Sequence, residues 1–170
     1  MKVLTLSDGD IQKALPYKKL IPCMRQALID FSAERVSCPP RSVLQLKDKK
    51  AMGYMPCSVD GISALGAKVT TVFSENRTKG IDAHQGVVIL FKHETGQPFA
   101  FLNASEITAR RTAAMSAAAT DLLAGKGAKK LTVFGYGIQA KEHIAAIKEV
   151  RKIEQLNVYS RSCVEEGSKD

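Results

Sequence analysis

The sequence predicts an α/β fold in two parts: an α+β sheet domain, followed by the first strand–helix–strand unit of a parallel sheet. Residues 41–102 hold short runs rich in β-branched and aromatic residues, separated by turn-forming residues, as is typical of an antiparallel sheet. Residues 130–159 instead alternate strand-like, helix-like and strand-like patterns. Since the composition shifts between these parts, we predict a first domain at 1–124 and an incomplete second domain at 125–170.

The first predicted elements are helices. Ser7 can cap the amide three residues on, which places Asp10 in the favourable first turn of a short helix. Residues 17–32 carry apolar side chains at the three–four spacing of one buried helical face. We place Pro22 in the first turn of this helix, where its missing N–H costs little. The apolar positions are Leu20, Ile21, Met24, Ala27, Leu28 and Phe31.

Strands follow once Pro39-Pro40 has ended helical structure. The predicted strands are 41–46, 51–55, 65–73, 86–92 and 97–102. The last two flank a glycine-containing turn at residues 93–96, which predicts a β-hairpin.

The second half of the chain begins with a long helix. Residues 105–123 are strongly helical in pattern and rich in alanine, and glycines at 125 and 127 end the helix. A strand from Lys130, a helix that ends at Val150 and a strand at 155–159 complete the predicted order.

A glycine motif joins the strand from Lys130 to the helix after it. Gly135-Tyr-Gly137-Ile-Gln139-Ala140 follows a short apolar run and opens the helical pattern, the order that places a pyrophosphate on a helix N-terminus. Gly135 permits the tight turn, Gly137 allows close approach of phosphates, and Ala140 lets the helix pack near its strand. The motif favours a dinucleotide site in a Rossmann-type domain over the alternative, a glycine-rich connector.

The end of the last predicted strand bears on the type of dinucleotide. NAD sites usually place an acidic residue here, which bonds the ribose 2′-hydroxyl. This chain has Ser160-Arg161-Ser162 instead, which suits a 2′-phosphate, so NADP(H) is favoured over NAD(H). In the alternative interpretation, Arg161 only faces solvent.

Cationic residues stand out at three places. Lys68 lies within an otherwise apolar strand, Arg41 begins a strand, and Arg110-Arg111 lies among small helical residues. A guanidinium is suited to clamp a carboxylate, and a lysine adds a point charge. Lys68 on a solvent-facing edge strand is the alternative for that residue. Surface exposure would account for one of the two helical arginines.

Other classes of function are disfavoured. The net charge of +8 is spread along the chain without the aromatic interleaving of a single-strand binder, so we predict no nucleic-acid partner. No apolar run has the ~18 to 20 residues that span a bilayer, and the N-terminus lacks a secretory pattern. The scattered cysteines predict reduced, partly buried thiols of a cytoplasmic protein and no metal site; they are Cys23, Cys38, Cys57 and Cys163.

The three histidines do not suggest catalysis. His84 precedes a strand, and a structural, hydrogen-bonding role is favoured over that of a base. His93 and His143 are expected to be exposed, one on a loop and the other on a helix.

Several segments together resemble the ornithine cyclodeaminase/mu-crystallin family. They are Gly66–Phe73, His84–Phe91, Glu94–Ala100, Ile107–Ala114 and Gly135–Ala140. Arg41 and Met55-Pro56 also fall in the family's order. The resemblance covers nearly the whole chain. It implies hydride chemistry at the α-carbon of a small amino or imino acid, in a homodimer that forms through the N-terminal sheet domain.

The matched motifs carry residue roles with them. The resemblance implies that Arg41, Lys68 and Arg111 hold the substrate carboxylate, and Lys68 could also act in catalysis at an imine nitrogen if burial lowers its pKa. The cofactor-binding residues predicted by the resemblance and by the strand end are Thr112, Gly135, Gly137, Ile138, Gln139, Ala140, Ser160, Arg161 and Ser162.

Two departures from the family shape the functional hypothesis. The family chain is about twice this length, so the sequence looks truncated within its Rossmann domain, without the acidic proton-transfer residue. Gly53 stands where the ornithine-cyclising branch is expected to have an acid. Ketimine or imino-acid reduction is therefore favoured. The alternatives are an ornithine cyclodeaminase, which converts L-ornithine to L-proline and ammonia, and a non-catalytic NADPH-dependent binder of a thyroid hormone-like molecule.

Overall fold

A computed structural model describes residues 2–160 as two compact units. The first contains residues up to 16 together with 26–108, and the second contains 17–25 and the chain from 109 onward. Two helices therefore contribute residues to both units. The predicted boundary between substrate and cofactor domains, at residues 124 and 125, stays a prediction.

The described residues form the mixed α/β structure that the sequence predicts. The strands are β1 (Leu4–Leu6), β2 (Val36–Ser37), β3 (Ser42–Gln45), β4 (Ala51–Val59), β5 (Ala64–Val72), β6 (His84–Lys92), β7 (Pro98–Asn103), β8 (Lys130–Phe134) and β9 (Gln155–Tyr159). The helices are α1 (Asp8–Ala14), α2 (Tyr17–Ser32), α3 (Ala104–Leu123) and α4 (Ile138–Val150), with 3₁₀ turns at Asp60–Ile62 and Ser74–Lys79.

The first unit is built on a seven-stranded sheet in the order β1-β7-β6-β5-β4-β2, in which β3 also pairs with β4. Within this sheet β1 runs parallel to its neighbour, with Leu4 opposite Ala100, and the other pairs are antiparallel. Strand β5 lies in the interior of the sheet, where nine residues pair with β4 and nine with β6. A residue in the middle of β5 is consequently held by two neighbouring strands.

The predicted hairpin is confirmed as β6 and β7. Gly96 takes a positive φ of 66° in the turn, which glycine adopts without the steric penalty of a Cβ. The register shifts between Leu90 and Phe91, where a bulge accommodates the irregular pairing.

The N-terminal helix begins as predicted. Ser7 accepts a hydrogen bond from the Asp10 amide, and the Asp10 carboxylate accepts from the Ser7 amide at 3.0 Å, which completes a capping box. The Asp10 carboxylate is stabilised in its charged form by these bonds, so the pKa of Asp10 is lowered.

Two expectations for α2 are wrong. The helix begins at Tyr17 after Pro16, so Pro22 lies in the second turn and not the first, and one backbone bond of the helix is lost there. The expected buried face also ends early: Leu20 and Ile21 are buried, but Leu28 is 40% and Phe31 60% exposed. Apolar spacing indicates a face that avoids water, but it does not identify the surface that covers this face.

Helix α3 brings a stripe of alanines into the core of the second unit. The stripe is fully or almost fully buried and consists of Ala109, Ala113, Ala114, Ala117 and Ala118. Side chains this small allow neighbouring backbone to approach closely, and Ala146 of α4 is equally buried. This packing explains why the sequence of α3 is so rich in alanine.

The strand–helix–strand unit has the predicted order. Strands β8 and β9 pair in parallel with Lys130 opposite Gln155 and Phe134 opposite Tyr159, and α4 connects them. At the carboxyl ends of the two strands the rings of Phe134 and Tyr159 stack with centroids 5.5 Å apart. These ends are where open parallel sheets usually bind their ligands.

Candidate nucleotide and carboxylate sites

The glycine turn lies between β8 and α4 as predicted. Gly135 has a φ of 104°, which favours glycine, and its amide donates to the Tyr159 carbonyl at 2.7 Å. This bond holds the start of the turn against the end of β9. Gly137 is the residue that caps the N-terminus of α4, and no side chain of its own satisfies the first amides.

The geometry around Gly137 fits a phosphate group. A Cβ added at this position would meet no protein atom within 4 Å, so packing within the chain does not require glycine here. The first turn of α4 contains no acidic residue. Exposed amides at the positive end of a helix dipole, with open space in front of them, form a suitable environment for an anion.

The remaining predicted cofactor residues of the glycine turn lie in the first turn of α4 and differ in exposure. Ile138 and Gln139 are exposed in the first turn of α4, with Ile138 62% exposed, while Ala140 is half-buried behind them. Ala140 thus takes the position where a small residue lets the helix approach its strand.

The residues predicted to select the cofactor follow β9. Ser160 is half-buried directly after the strand. Arg161 and Ser162 lie outside the described residues, so their predicted role stays a prediction.

Lys68 is held inside the sheet and not at its edge. It lies in the middle of β5, opposite Met55 on β4 and Val88 on β6, which excludes the edge-strand alternative. Its half-buried ammonium donates to the Thr108 hydroxyl on α3 at 3.2 Å. The sheet and the helix together therefore fix the position of this charge.

His84 lies close to Lys68 and makes structural contacts. Its Nδ1 is 3.4 Å from the Ser105 hydroxyl, which in turn donates to the His84 carbonyl at 2.8 Å. The pKa of His84 is lowered, first by burial and then by the positive charge of Lys68. The neutral imidazole is therefore favoured, in agreement with a hydrogen-bonding role.

The two adjacent arginines of α3 differ in their surroundings. Arg110 is only 11% exposed in its side chain and lies 3.5 Å from the carboxylate of Glu142 on α4. Its guanidinium also stacks over the ring of Tyr17 at 4.6 Å from the centroid, and the Tyr17 hydroxyl donates to Glu142. The expectation that surface exposure accounts for one arginine is wrong, because Arg110 links three helices of the second unit and Arg111 is half-buried as well.

Arg111 and Thr112 follow on the same helix and are both half-buried. They belong to the second unit, as does the glycine turn, whereas Lys68 belongs to the first. Arg41 also belongs to the first unit, where it is exposed directly before β3. The structure thus brings Lys68, Thr108 and His84 together, and the joint use of Arg41, Lys68 and Arg111 as one carboxylate clamp stays a prediction.

Contacts of His143 and Thr108 were not foreseen from sequence. His143 is half-buried and not exposed as expected: its Nε2 lies 3.0 Å from the Ser116 hydroxyl and its Nδ1 2.6 Å from the Gln139 carbonyl. Thr108, three residues before Arg111, gave no separate indication of its contact with Lys68. A polar side chain one turn before a predicted ligand on the same helix face is the pattern that could have identified it.

Two other kinds of site are absent among residues 2–160. No group of three or more metal-ligating side chains occurs there, and no helix in that range is long and apolar enough to cross a membrane. The cysteines in this range are free, but Cys23 and Cys38 are exposed, so the expected partial burial holds only for Cys57.

A known protein family matches the chain across all of these sites. The model of the ornithine cyclodeaminase/mu-crystallin family matches residues 1–167. The chain belongs to this family. The predicted resemblance is therefore confirmed over nearly the whole sequence.

Curated relatives within the family include reductases. A Delta(1)-pyrroline-2-carboxylate reductase of Bacillus cereus is 37% identical over 161 residues, which cover 94% of this chain and 50% of the relative. The ketimine reductase mu-crystallin of Mus musculus is 33% identical, over 92% of this chain and 52% of its own. The chain thus spans about half the length of the curated relatives it matches.

Solved structures share the fold of this chain over about half of their own length. The Thermococcus litoralis Delta(1)-pyrroline-2-carboxylate reductase, in complex with NADH and L-proline, matches 95% of this chain and 50% of its own, with a TM-score of 0.90 and 31% identity. An archaeal alanine dehydrogenase with bound NAD matches the same shares of the two chains with a TM-score of 0.89 at 24% identity, which supports the fold alone.

Proposed function

We propose that the protein is an NAD(P)-dependent reductase of a small imino acid, with a cyclic ketimine carboxylate as the substrate class. The observation that carries the proposal is the uncapped N-terminus of α4 at Gly137, where an added Cβ would meet no protein atom within 4 Å, in a chain that is 37% identical to a pyrroline-2-carboxylate reductase. The ketimine reductase mu-crystallin and the reductase in complex with NADH support the same chemistry.

In this proposal the glycine turn holds the dinucleotide. The amides at the start of α4 would bind the pyrophosphate, and Gly135 and Gly137 would keep the space in front of them open. When bound, the nicotinamide supplies the hydride. Thr112 is proposed to approach the phosphates from α3.

The cationic side chains would position the substrate. Arg41, Lys68 and Arg111 are proposed to bind its carboxylate, so that the imine carbon lies near the nicotinamide, which is catalysis by positioning. The contact of Lys68 with Thr108 supports this role because it holds the ammonium in one place at 3.2 Å. Lys68 is also proposed to donate a hydrogen bond or a proton to the imine nitrogen, which makes the carbon more electrophilic.

The preference for NADP(H) over NAD(H) is part of the proposal. It rests on Ser160-Arg161-Ser162 after β9, since a guanidinium and hydroxyls suit a 2′-phosphate.

We further propose a homodimer that forms through the N-terminal sheet, in the cytoplasm. Leu44, Met52 and Tyr54 lie on one face of the sheet by register and are 59%, 40% and 46% exposed. A patch of large apolar side chains of this kind is typical of an interaction surface. Light scattering coupled to size exclusion should give a dimer mass, and Tyr54→Glu should shift the mass toward that of one chain.

The catalytic proposal is tested by the two neighbouring arginines of α3. Reduction of Δ1-pyrroline-2-carboxylate by the complete gene product is followed through the loss of reduced-nicotinamide absorbance. Arg111→Ala should raise KM at least about tenfold, because a lost guanidinium–carboxylate contact costs roughly 2 kcal/mol or more. Arg110→Ala is the matched control: it should lower the melting temperature and leave KM unchanged.

Equal KM values in the two variants would contradict the carboxylate clamp. Tight NADPH binding without turnover of any imine would favour the binding-protein alternative. Formation of proline and ammonia from ornithine would favour the cyclodeaminase. Binding of neither NADPH nor NADH would refute all three.

A further inference from the structure

Cys38 and Cys57 are brought together by the pairing of β2 and β4. In this antiparallel pair Val36 lies opposite Val59, and Ser37 lies opposite Ser58. Continuing the register by one residue places Cys38 opposite Cys57. Directly opposite residues of an antiparallel pair point to the same face of the sheet, so the two thiols face each other.

The position of Cys38 and Cys57 in the antiparallel ladder favours a short distance between their Cα atoms. The Asp60 amide donates to the Arg35 carbonyl at 3.4 Å, so Arg35 and Asp60 form a hydrogen-bonded pair. Because hydrogen-bonded and non-hydrogen-bonded pairs alternate along a ladder, Cys38 and Cys57 fall at a non-hydrogen-bonded position, where Cα atoms are about 4.5 Å apart. This separation lies within the range of about 4.4 to 6.8 Å that disulfides span.

The thiols also influence each other electrostatically. The pKa of the Cys57 thiol is raised, first by burial and then by Cys38, which acts on it as a neighbouring ionisable group and hydrogen-bond partner. Cys38 is exposed and Cys57 is half-buried. An oxidant from solvent therefore reaches Cys38 first. The Cys57 thiol is then placed to attack the oxidised Cys38 sulfur.

We propose that Cys38 and Cys57 form a reversible cross-strand disulfide, which makes this pair a thiol-oxidation site of the sheet. The oxidant is a small-molecule disulfide. The Cys38 thiolate attacks one of its sulfurs and displaces one thiolate, and the Cys57 thiolate then attacks the Cys38 sulfur and displaces the second. Two protein thiols are oxidised, the small disulfide is reduced to two thiols, and the two S–H protons end on the released thiols.

The site is close to residues of the proposed carboxylate clamp. Register places Cys57 opposite Gly66 and Met55 opposite Lys68, so Cys57 lies on the same face as Lys68, two residues along the strand. Only the rigid Pro39-Pro40 separates Cys38 from Arg41. A disulfide would fix the path of the chain into Arg41 against β4. This effect on substrate binding rests on the proposed function, whereas formation of the bond does not.

The bond itself is tested by mass spectrometry of the purified chain. After equilibration with mixtures of reduced and oxidised glutathione, the wild-type protein should lose two hydrogens, and peptide mapping should join Cys38 to Cys57. Cys38→Ser and Cys57→Ser should abolish this product, while Cys23→Ser should leave it unchanged. Dithiothreitol should restore the original mass in the wild type.

The inference is overturned if no glutathione ratio yields an intramolecular disulfide, or if mapping joins Cys23 or Cys163 to either thiol in place of the Cys38–Cys57 pair. A disulfide that forms equally in Cys38→Ser would overturn it as well. These outcomes are read from mass alone, so they are independent of nucleotide binding and imine reduction. If the oxidised protein shows a changed KM for the imine that dithiothreitol reverses, the proposed link to the carboxylate clamp is supported.

Discussion

Arg151 is the residue whose removal should destabilise the second unit most clearly. Its side chain is 4% exposed, and its guanidinium donates to the Asp121 carboxylate at 2.8 Å. It also donates to the carbonyls of Thr120, Asp121 and Ala124 at 2.9, 3.0 and 2.9 Å. One buried cation thus satisfies three carbonyls at the C-terminal end of α3, where the helix dipole favours positive charge.

The expected loss of folding free energy on removing Arg151 follows from these contacts. Removing one partner of a buried ion pair costs about 3 to 5 kcal/mol, and we expect this range for Arg151→Ala because three buried carbonyls lose their donor, while the Asp121 carboxylate keeps its bonds to Arg25 and Lys126. With a urea m-value of roughly 2 kcal/mol/M, Arg151→Ala should lower the unfolding midpoint by about 1.5 to 2.5 M. The urea midpoint of Arg151→Lys should lie between those of the wild type and Arg151→Ala, because an ammonium keeps the charge but cannot reproduce the planar, forked arrangement of guanidinium donors.

Lys126 provides the matched control for this measurement. Its ammonium lies 3.2 Å from the same Asp121 carboxylate, but its side chain is 79% exposed. Exposed pairs contribute about 0 to 1 kcal/mol, so Lys126→Ala should shift the urea midpoint by less than about 0.5 M. The assay is urea unfolding followed by circular dichroism. Equal midpoints for Arg151→Ala and Lys126→Ala would refute the role given to burial.

Further predictions concern pH and the glycine turn. Hydrogen bonds from Arg151, Arg25 and Lys126 lower the pKa of Asp121. The stability they provide is thus present above the unfolded-state pKa of about 3.9 and lost as pH falls through the folded-state pKa, and Asp121→Asn should flatten the acid limb of an unfolding curve. The pKa of His84 is lowered by burial and Lys68, so an NMR titration should find its midpoint below the ordinary 6.5, and a midpoint above that would contradict the site geometry. Protonation of His84 then opposes folding, and His84→Gln should reduce the loss of stability between about pH 7 and 5. Gly137→Ala should weaken NADPH binding at least about tenfold with a stability change within about 1 kcal/mol, because the added methyl meets no protein atom; equal affinity in isothermal calorimetry would contradict the proposed phosphate site.

Local patterns allowed much of the fold to be predicted. The capping box at Ser7, the hairpin around Gly96 and the strand–helix–strand unit around Gly135 are all set by nearby residues, so their spacing in the sequence is sufficient. The start of α2 was harder to place. Pro16 and Pro22 are both acceptable near a helix N-terminus, so sequence alone does not exclude a start close to Pro22, whereas the backbone becomes helical at Tyr17, directly after Pro16.

Contacts between distant parts of the chain could not be predicted. The sequence does not distinguish Arg110 from Arg111, because both are arginines among small helical residues. In the structure Arg110 pairs with Glu142 and stacks on Tyr17, which are far away in sequence. The interior position of Lys68 likewise depends on the pairing order of the strands. Cys38 and Cys57 lie opposite each other because of the register between β2 and β4. Apolar alternation alone does not reveal the register of a two-residue strand such as β2.

We propose above that this family member reduces a small imino acid with a nicotinamide cofactor held at Gly135 to Ala140. The most direct test measures oxidation of NADPH and NADH by the complete gene product with Δ1-pyrroline-2-carboxylate, and identifies the product as proline. We expect imine-dependent oxidation of the cofactor that is faster with NADPH than with NADH and is lost in Lys68→Met. Tight cofactor binding with no imine-dependent oxidation, or turnover that survives Lys68→Met unchanged, would contradict it.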